Sequence, residues 1–430
     1  MRRVYPASRL SGKVVVPADK SISHRYAILG SMAQGRTRIS DFSPSHDCRS
    51  TLSCLQELGV RVRQDGTATI VESPGWEHLR QPAGRLDAGN SGTTIRLLSG
   101  LLAGRPFRST IAGDASLNQR PMKRVMTPLR MMGASIEARD GEFPPLRISG
   151  TRLSSIRYAL PVASAQVKSC VLLAGVTAEG TTTVVENQRT RDHTERALPV
   201  FSVSIARSGQ EMSVTGPARL LPAEVQVPGD FSAAVYFILA ALVVPGSQIE
   251  IPGVGLNPTR SALLKLLLES GADIRVVNRS ERDNEPRGDL EVRYSPAVLD
   301  SFPEQLGGDL IPNIIDEIPV LAVFGVKLKK GLTVVGAEEL RKKESDRIRS
   351  VVSNLRRIKI EVEELADGFR IPPGQKIRGG SITTFADHRI AMAFAVAGLL
   401  AEHPVDIDDP ACAAISFPGF FSKLELIAGS

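Results

Sequence analysis

The sequence predicts an α/β (α+β) chain built from six βαβαββ-like units arranged as two sets of three. Three observations carry this. An apolar helical run, then a Gly or short polar break, then a β-branched strand recurs along the chain. A more polar helix followed by two short strands sits between successive copies. The length of 430 residues suggests two or three domains, and 42% hydrophobic with 23% charged residues is an ordinary soluble globular balance.

The apolar units start at residues 24, 91, 165, 231, 318 and 388: HRYAILGSMAQGRTRIS, SGTTIRLLSGLLAGRPFRSTI, AQVKSCVLLAGVTAEGTTTVV, FSAAVYFILAALVVPGSQIEI, IPVLAVFGVKLKKGLTVV and HRIAMAFAVAGLLAEHPVDI. Six starts roughly 65–90 residues apart are not expected from generic helix propensity. The polar units read CRSTLSCLQELGVRVRQDGTATIVE, RPMKRVMTPLRMMGASIEARDGEFPPLRI, TRSALLKLLLESGADIRVV and ESDRIRSVVSNLRRIKIEVEELADGFRI, with TERALPVFSVSIARSGQEMSVTG a looser copy. The last unit stops after SFPGFFSKLELIA, so the strand signal in Val4–Pro17 is expected to supply its missing strand pair. Both ends of the chain then meet in one domain, 1–18 plus 227–430, and 19–226 forms the other. The crossovers fall near 18–20 and 226–230, and a cleft between domains joined by two strands is the expected closing site.

The net charge of +7 favours acidic partners. Dispersed positives and only 5% aromatics argue against a dedicated nucleic-acid surface, so small phosphorylated or carboxylated substrates fit better. Cys48, Cys54, Cys170 and Cys412 form no CxxC pair, which suggests a reduced cytoplasmic protein. The start MRRVYPASRLSG lacks an apolar core, so no signal peptide is expected. The runs around Ala233–Val244 and Ile390–Ala401 are too short to span a bilayer and read as buried helices.

Polar and charged residues cluster at the unit starts. In DKSISHR, Lys20 and Arg25 bracket Ser21 and Ser23 where an extended run gives way to a helix, and a capped helix N-terminus favours an anion. Comparable groups are Asn90/Ser91/Gly92/Thr93/Arg96, Ser164/Gln166/Lys168, Arg191/Asp192/Thr194, Lys343/Glu344/Arg347 and Asp387/His388/Arg389. Gly92, without a Cβ, lets backbone N–H groups approach a ligand. Lys343 and Arg347 are expected on one helix face. Such a set makes a cleft selective for a substrate pair carrying several phosphates and carboxylates. Competing readings are solvated helix starts for KKESDR, interdomain salt bridges for Arg96 and Arg120, and structural roles for His24, His193 and His388. No Walker motif, GxGxxG or GxSxG is present, and Cys170 in SCVLLAGV reads as core rather than nucleophile.

In order along the chain, DKSISHR, GNSGTTIR, QRPM, SAQVKS, RDHTE, IIDEIPVLA, KKESDR, DHRIAMA and SFPGF resemble the motifs of the 5-enolpyruvylshikimate-3-phosphate synthase (3-phosphoshikimate 1-carboxyvinyltransferase) family, from about Val15 to Phe421. The resemblance implies two inside-out α/β barrels of three βαβαββ units each. It implies transfer of the enolpyruvyl group of phosphoenolpyruvate to the 5-hydroxyl of shikimate 3-phosphate, by a monomeric enzyme with no metal or organic cofactor and no nucleic-acid or membrane partner. It also implies roles. Lys20, Asn90, Gly92, Arg120, Gln166, Arg347 and Arg389 match the phosphoenolpyruvate side. Ser21, Arg25, Ser164, Ala165, Gln166, Arg191, Asp316 and Lys343 match the shikimate 3-phosphate side. Asp316 matches the acceptor of the hydroxyl proton and Glu344 the proton shuttle, with Lys20 as its competitor.

Some members of that family carry Lys where this chain has Ile415, and Ser164-Ala165-Gln166 replaces Ser-Ser-Gln. The Ser-Ala-Gln and the RDHTE loop, which replaces a different loop, both resemble a second subgroup in which the Lys is also absent and glyphosate-tolerant members have Ala at the position of Gly92; this chain is therefore expected to be glyphosate-sensitive. The sister transferase acting on UDP-N-acetylglucosamine is the alternative, but its loop cysteine is missing from GDASLNQRP and its Lys-Asn is Lys20-Ser21 here. An RNA 3′-terminal phosphate cyclase or basic RNA-binding module shares βαβαββ units, yet needs basic–aromatic stripes or a nucleotide-linked His that the sequence does not clearly show.

Overall fold

The computed structural model describes residues 1–429, and within them five four-stranded sheets follow one pairing rule, while a sixth has three strands. In the first, Gln34–Ser40 pairs antiparallel with Ala68–Pro74, which pairs antiparallel with Arg61–Asp65, and Glu224–Gln226 lies parallel along the other side of Gln34–Ser40. The same arrangement, one parallel edge strand beside an antiparallel trio, is built on Arg108–Ala112 with Leu86–Asp87 at its edge. Gly180–Val185 repeats it with Arg157–Ala159 as the edge, and Leu332–Val334 with Gln305–Leu306. Toward their C-terminal ends Gln34–Ser40 and Gly180–Val185 alternate buried with less buried positions, as strands with one covered face do.

The N-terminal strands divide their duties. Arg2–Val4 pairs antiparallel with Val405–Ile407 and completes the three-stranded C-terminal sheet. Ser11–Lys13 instead runs parallel to Gln248–Gly255 in another sheet. The expectation that Val4–Pro17 supplies a strand pair to the last unit is thus half corrected. The chain crosses from one sheet to the other over residues 5–10.

Chain contacts divide the protein into two units: Met1–Pro17, Pro228–Ser280 and the chain from Pro286 onward in the first; Ala18–Val227 with Glu281–Glu285 in the second. Each has its own core. In the first unit, helices Phe231–Val243 and Ile318–Gly325 are buried at every position, and His388–Leu400 at all but its last. These helices pack on one another. A helix apolar on all sides has no face to give to water, so such helices take the centre, and sheets and amphipathic helices such as Arg347–Arg357 surround them. Lys20–Met32, Gly92–Ala103 and Ala165–Thr177 take the central place in the second unit. Two of these approach so closely that a Cβ on Gly100 would stand 2.4 Å from the carbonyl oxygen of Cys170. Among the described residues no helix is long and apolar enough to cross a membrane.

Candidate active site

Buried central helices must expose their N-termini somewhere, and the candidate residues sit there. In the second unit, Asp19, Ser91 and Ser164 cap the three helices by accepting hydrogen bonds from the N–H groups of Ile22, Thr94 and Val167. Side chains then knit these ends together. Arg25, 3% exposed, donates through Nε to Thr194 Oγ1 and through Nη2 to Ser169 Oγ, both at 2.7 Å, and through Nη1 to the carbonyl of Ser21 at 2.8 Å. Burial pushes its guanidinium down to about 10, against the opposing fields of Glu195 and Asp19. Arg25 therefore remains a cation at neutral pH, held in orientation by these three acceptors.

His24 Nδ1 lies 2.7 Å from Thr51 Oγ1, which lies 2.7 Å from Thr94 Oγ1 at the start of the next helix. Burial, with Lys20 and Arg25 adding repulsion, holds its imidazole well below its ordinary value, so it is a neutral structural link. Gln166 joins two of these helix starts: Arg96 Nη1 donates to its Oε1 at 2.7 Å, and its Nε2 donates to Thr93 Oγ1 at 3.0 Å. Arg120 donates to Asn90 Oδ1 at 2.7 Å and to Ser116 Oγ at 3.1 Å, while Asn90 donates to Asp114. A Cβ on Gly92 would lie 2.8 Å from Arg96 Nη1 and 3.5 Å from Arg120 Nη1, so this glycine sits against both guanidinium groups. Lys20 is held 2.7 Å from Asp47 Oδ2. Ser21 and Ala165 are half-buried at two of these helix starts, and Arg191 is half-buried two residues ahead of helix His193–Val200.

The first unit holds a second set. Arg347, 1% exposed, clamps Asp387 through Nε at 2.8 Å and Nη2 at 3.2 Å, reaches Glu344 Oε2 at 2.5 Å and lies 3.5 Å from Asp316 Oδ1. Arg389 donates to the Asp316 carbonyl at 2.9 Å and lies 3.6 Å from its carboxylate. Burial opposes both charges, yet Asp387 and Glu344 around Arg347, and Asp316 beside Arg389, outweigh it and hold both firmly protonated. Asp387 caps helix His388–Leu400, and Phe385 and Ala386 ahead of it both have positive φ, 54° and 55°. That strained pair turns the chain so that Asp387 meets Arg347.

Some expectations change. Lys343 and Glu344 lie ahead of the helix, which begins at Arg347 because Asp346 caps it; Lys343 and Arg347 therefore do not share a helix face. Lys168 is fully buried, 2.7 Å from Glu195 and 3.0 Å from Glu186, so it belongs to the fold rather than the anion site. Arg96 and Arg120 bond to neighbouring polar groups of their own unit. Cys170 is buried and its thiol pushed up to about 12 by burial, consistent with core. Ile415 ends a short 3-10 turn and is half-buried.

Other site groups were not singled out from sequence: Asp47, Thr51, Ser169 and Arg260. Arg260, 3% exposed, lies 3.0 Å from Glu317 and 3.9 Å from Asp316. Its signal was the polar start NPTRS ahead of an apolar helix, the same signal read at the other units. Together the two sets offer cation forks for anions and, at Asp316 and Glu344, carboxylates only about one-sixth exposed. Such groups can hold polyanions and move protons.

The sequence profile of EPSP synthase (3-phosphoshikimate 1-carboxyvinyltransferase) matches residues 4–424. The 3-phosphoshikimate 1-carboxyvinyltransferase of Solibacter usitatus is 50% identical over 427 residues, covering 99% of both chains. That of Bacillus licheniformis is 45% identical, covering 98% of both. The solved EPSP synthase of Acinetobacter baumannii superposes with a TM-score of 0.85 at 37% identity, covering 99% of this chain and 97% of that one.

Proposed function

Because the chain belongs to the EPSP synthase family and transfers the enolpyruvyl group of phosphoenolpyruvate to shikimate 3-phosphate, we propose a division of labour between its two sets of residues. Ser21, Arg25, Ser164, Ala165, Gln166 and Arg191, with Asp316 and Lys343, bind shikimate 3-phosphate. Lys20, Asn90, Gly92, Arg120, Gln166, Arg347 and Arg389 bind phosphoenolpyruvate. The observation that carries this is the pre-paired cation network: Arg25, Arg120, Arg347 and Arg389 are each at most 9% exposed and each already oriented by neutral or anionic partners. Buried, oriented guanidinium groups bind phosphate and carboxylate with little reorganisation.

The reaction then runs as addition and elimination. The 5-hydroxyl oxygen attacks C2 of phosphoenolpyruvate, its proton passes to the Asp316 carboxylate, and C3 receives a proton from Glu344, with Lys20 as the competing donor. The tetrahedral ketal collapses when a C3 proton returns to the same base and the C2–O bond to phosphate breaks; the departing phosphate carries away the proton taken from the hydroxyl, which returns Asp316 to its carboxylate. Each acid–base group supplies about 10²–10⁴-fold. The chemistry draws on both residue sets, the anion-binding arginines and the two carboxylates. The reading extends to a monomeric cytoplasmic enzyme; four buried thiols, none in a disulfide, support a reducing compartment.

A phosphate-release assay with phosphoenolpyruvate and either shikimate 3-phosphate or UDP-N-acetylglucosamine tests the substrate. Turnover is expected with shikimate 3-phosphate alone. Asp316→Ala and Glu344→Ala are expected to bind both substrates and lose at least about 100-fold in kcat; near-wild-type turnover in both would overturn the assigned roles.

A further inference from the structure

The hairpin of Ile274–Arg282 and Glu285–Arg293 has its strands in the first unit and its tip, Glu281–Glu285, in the second. Asp283 and Asn284 have φ of +55° and +61°, the two left-handed residues that a tight hairpin turn requires. An exposed turn with this chemistry normally ends in water. This one makes a dense set of polar contacts instead. Asp283 Oδ2 accepts from the Gln226 N–H at 2.8 Å, and Arg282 Nη1 donates to Gln226 Oε1 at 2.9 Å. Arg196 donates to the Asn284 carbonyl at 2.6 Å and accepts from Asn284 Nδ2 at 3.1 Å. Tyr26, adjacent to Arg25, donates to the Asp283 carbonyl at 3.4 Å.

The innermost contact bears on the anion site. Glu285 is 2% exposed and its Oε1 lies 2.7 Å from Nδ1 of His193, itself 2% exposed. A carboxylate oxygen only accepts, so the pair fixes the proton on Nδ1 and fixes the ring. His193 opens helix His193–Val200, and its neighbour Thr194 holds Arg25 Nε at 2.7 Å and donates to Ser169 Oγ at 2.6 Å. Arg191 lies two residues ahead of the same ring. Glu285 is also among the groups whose field favours the charged form of Arg25.

We propose that Glu285, on a hairpin contributed by the other half of the sequence, is a positioning residue for the acceptor's phosphate: by anchoring His193 it sets the start of the helix that orients Arg25 and Arg191. The inference rests on Arg25 binding the shikimate 3-phosphate phosphate. Glu285 touches no substrate; it acts through His193 and Thr194.

Steady-state kinetics on the full chain test it. Glu285→Ala is expected to raise KM for shikimate 3-phosphate about tenfold, the loss of one fixed hydrogen bond, with kcat and the phosphoenolpyruvate KM within about twofold. Glu285→Gln keeps an acceptor for Nδ1–H and is expected to restore KM to within about threefold of wild type. Arg25→Ala, run alongside, is expected to raise the same KM further. If Arg25→Ala raises it and Glu285→Ala does not, the positioning role is wrong while the site reading stands. If neither raises it, both fall. A Glu285→Ala protein that loses active fraction with both KM values unchanged shows a structural role only and also overturns the proposal.

Discussion

Asp387→Asn isolates the pair on which the first unit's residue set depends. Asp387 and Arg347 have side chains 0% and 1% exposed, and the carboxylate takes both Nε and Nη2 of the guanidinium. Removing one member of a buried pair costs about 3–5 kcal/mol, because the survivor is left charged and poorly solvated. Here Arg347 keeps Glu344 and Asp316, and the amide oxygen still accepts from the Arg389 N–H, so the lower end applies, about 3 kcal/mol. For a unit of this size each kcal/mol moves Tm by roughly 2–4 °C, giving a drop of about 6–12 °C. The pH dependence has a definite sign. Burial would raise the Asp387 carboxyl, but Arg347 outweighs it and holds it below the ordinary carboxylate range. A lowered folded value means that the stabilisation is complete above the unfolded value of about 3.9 and is lost as pH falls through the folded one. Thermal melts of wild type and variant should therefore differ by a constant amount from pH 8 to 5, with the gap closing below about 4. A gap under about 2 °C at pH 7, or one that widens on acidification, would refute the reasoning.

Two further changes separate binding from architecture. Gly92→Ala places a methyl 2.8 Å from Arg96 Nη1 and 3.5 Å from Arg120 Nη1; the arginine ends can shift, so the fold should survive while the inhibition constant for glyphosate rises well above its effect on the phosphoenolpyruvate KM. Equal inhibition constants for the two proteins would sink that idea. Lys168→Met leaves Glu186 and Glu195 buried without their shared ammonium, and chemical denaturation should show a loss of about 3–5 kcal/mol, with kcat per folded molecule unchanged.

Much of the fold was legible because it repeats. A single apolar run such as FSAAVYFILAALVV says only that a helix is buried, but six copies with the same following strand define a unit, and the five four-stranded sheets obey the same pairing rule. The site was legible at helix starts, where Ser, Asp, Lys and Arg ahead of an apolar run have no role in the core. What sequence could not convey was long-range pairing. Lys168 looked like its neighbours Ser164 and Gln166, yet its partner Glu195 is on another helix. Ser11–Lys13 carries only a weak strand signal, and nothing local says which sheet edge it joins. Asp283-Asn284 reads as an ordinary hairpin turn, and only the fold reveals that Arg196, Gln226 and Tyr26 receive it.

The first unit's charges also bear on how a carboxylate paired to an arginine can serve as an acid. Glu344 Oε2 lies 2.5 Å from Arg347 Nη2, and a guanidinium beside a carboxyl group favours the ionised form. On the proposed reading, in which Arg347 binds phosphoenolpyruvate, its Nε is committed to Asp387, so the substrate carboxylate competes with Glu344 for Nη2. Displaced, Glu344 loses its cation and gains a polyanionic neighbour; both changes favour its protonated form, the form needed to deliver a proton to C3. Binding of phosphoenolpyruvate alone, which gives no turnover, should thus take up as much as about one proton per site near neutral pH. Titration calorimetry in buffers of different ionisation enthalpy reads that number directly. Phosphoenolpyruvate has its own titrating phosphate, so the diagnostic is the difference from Glu344→Gln, which should take up fewer protons at every pH between 6 and 8. Identical proton numbers in the two proteins would mean that Glu344 keeps its arginine when the substrate binds, and the proton to C3 would then have to come from Lys20.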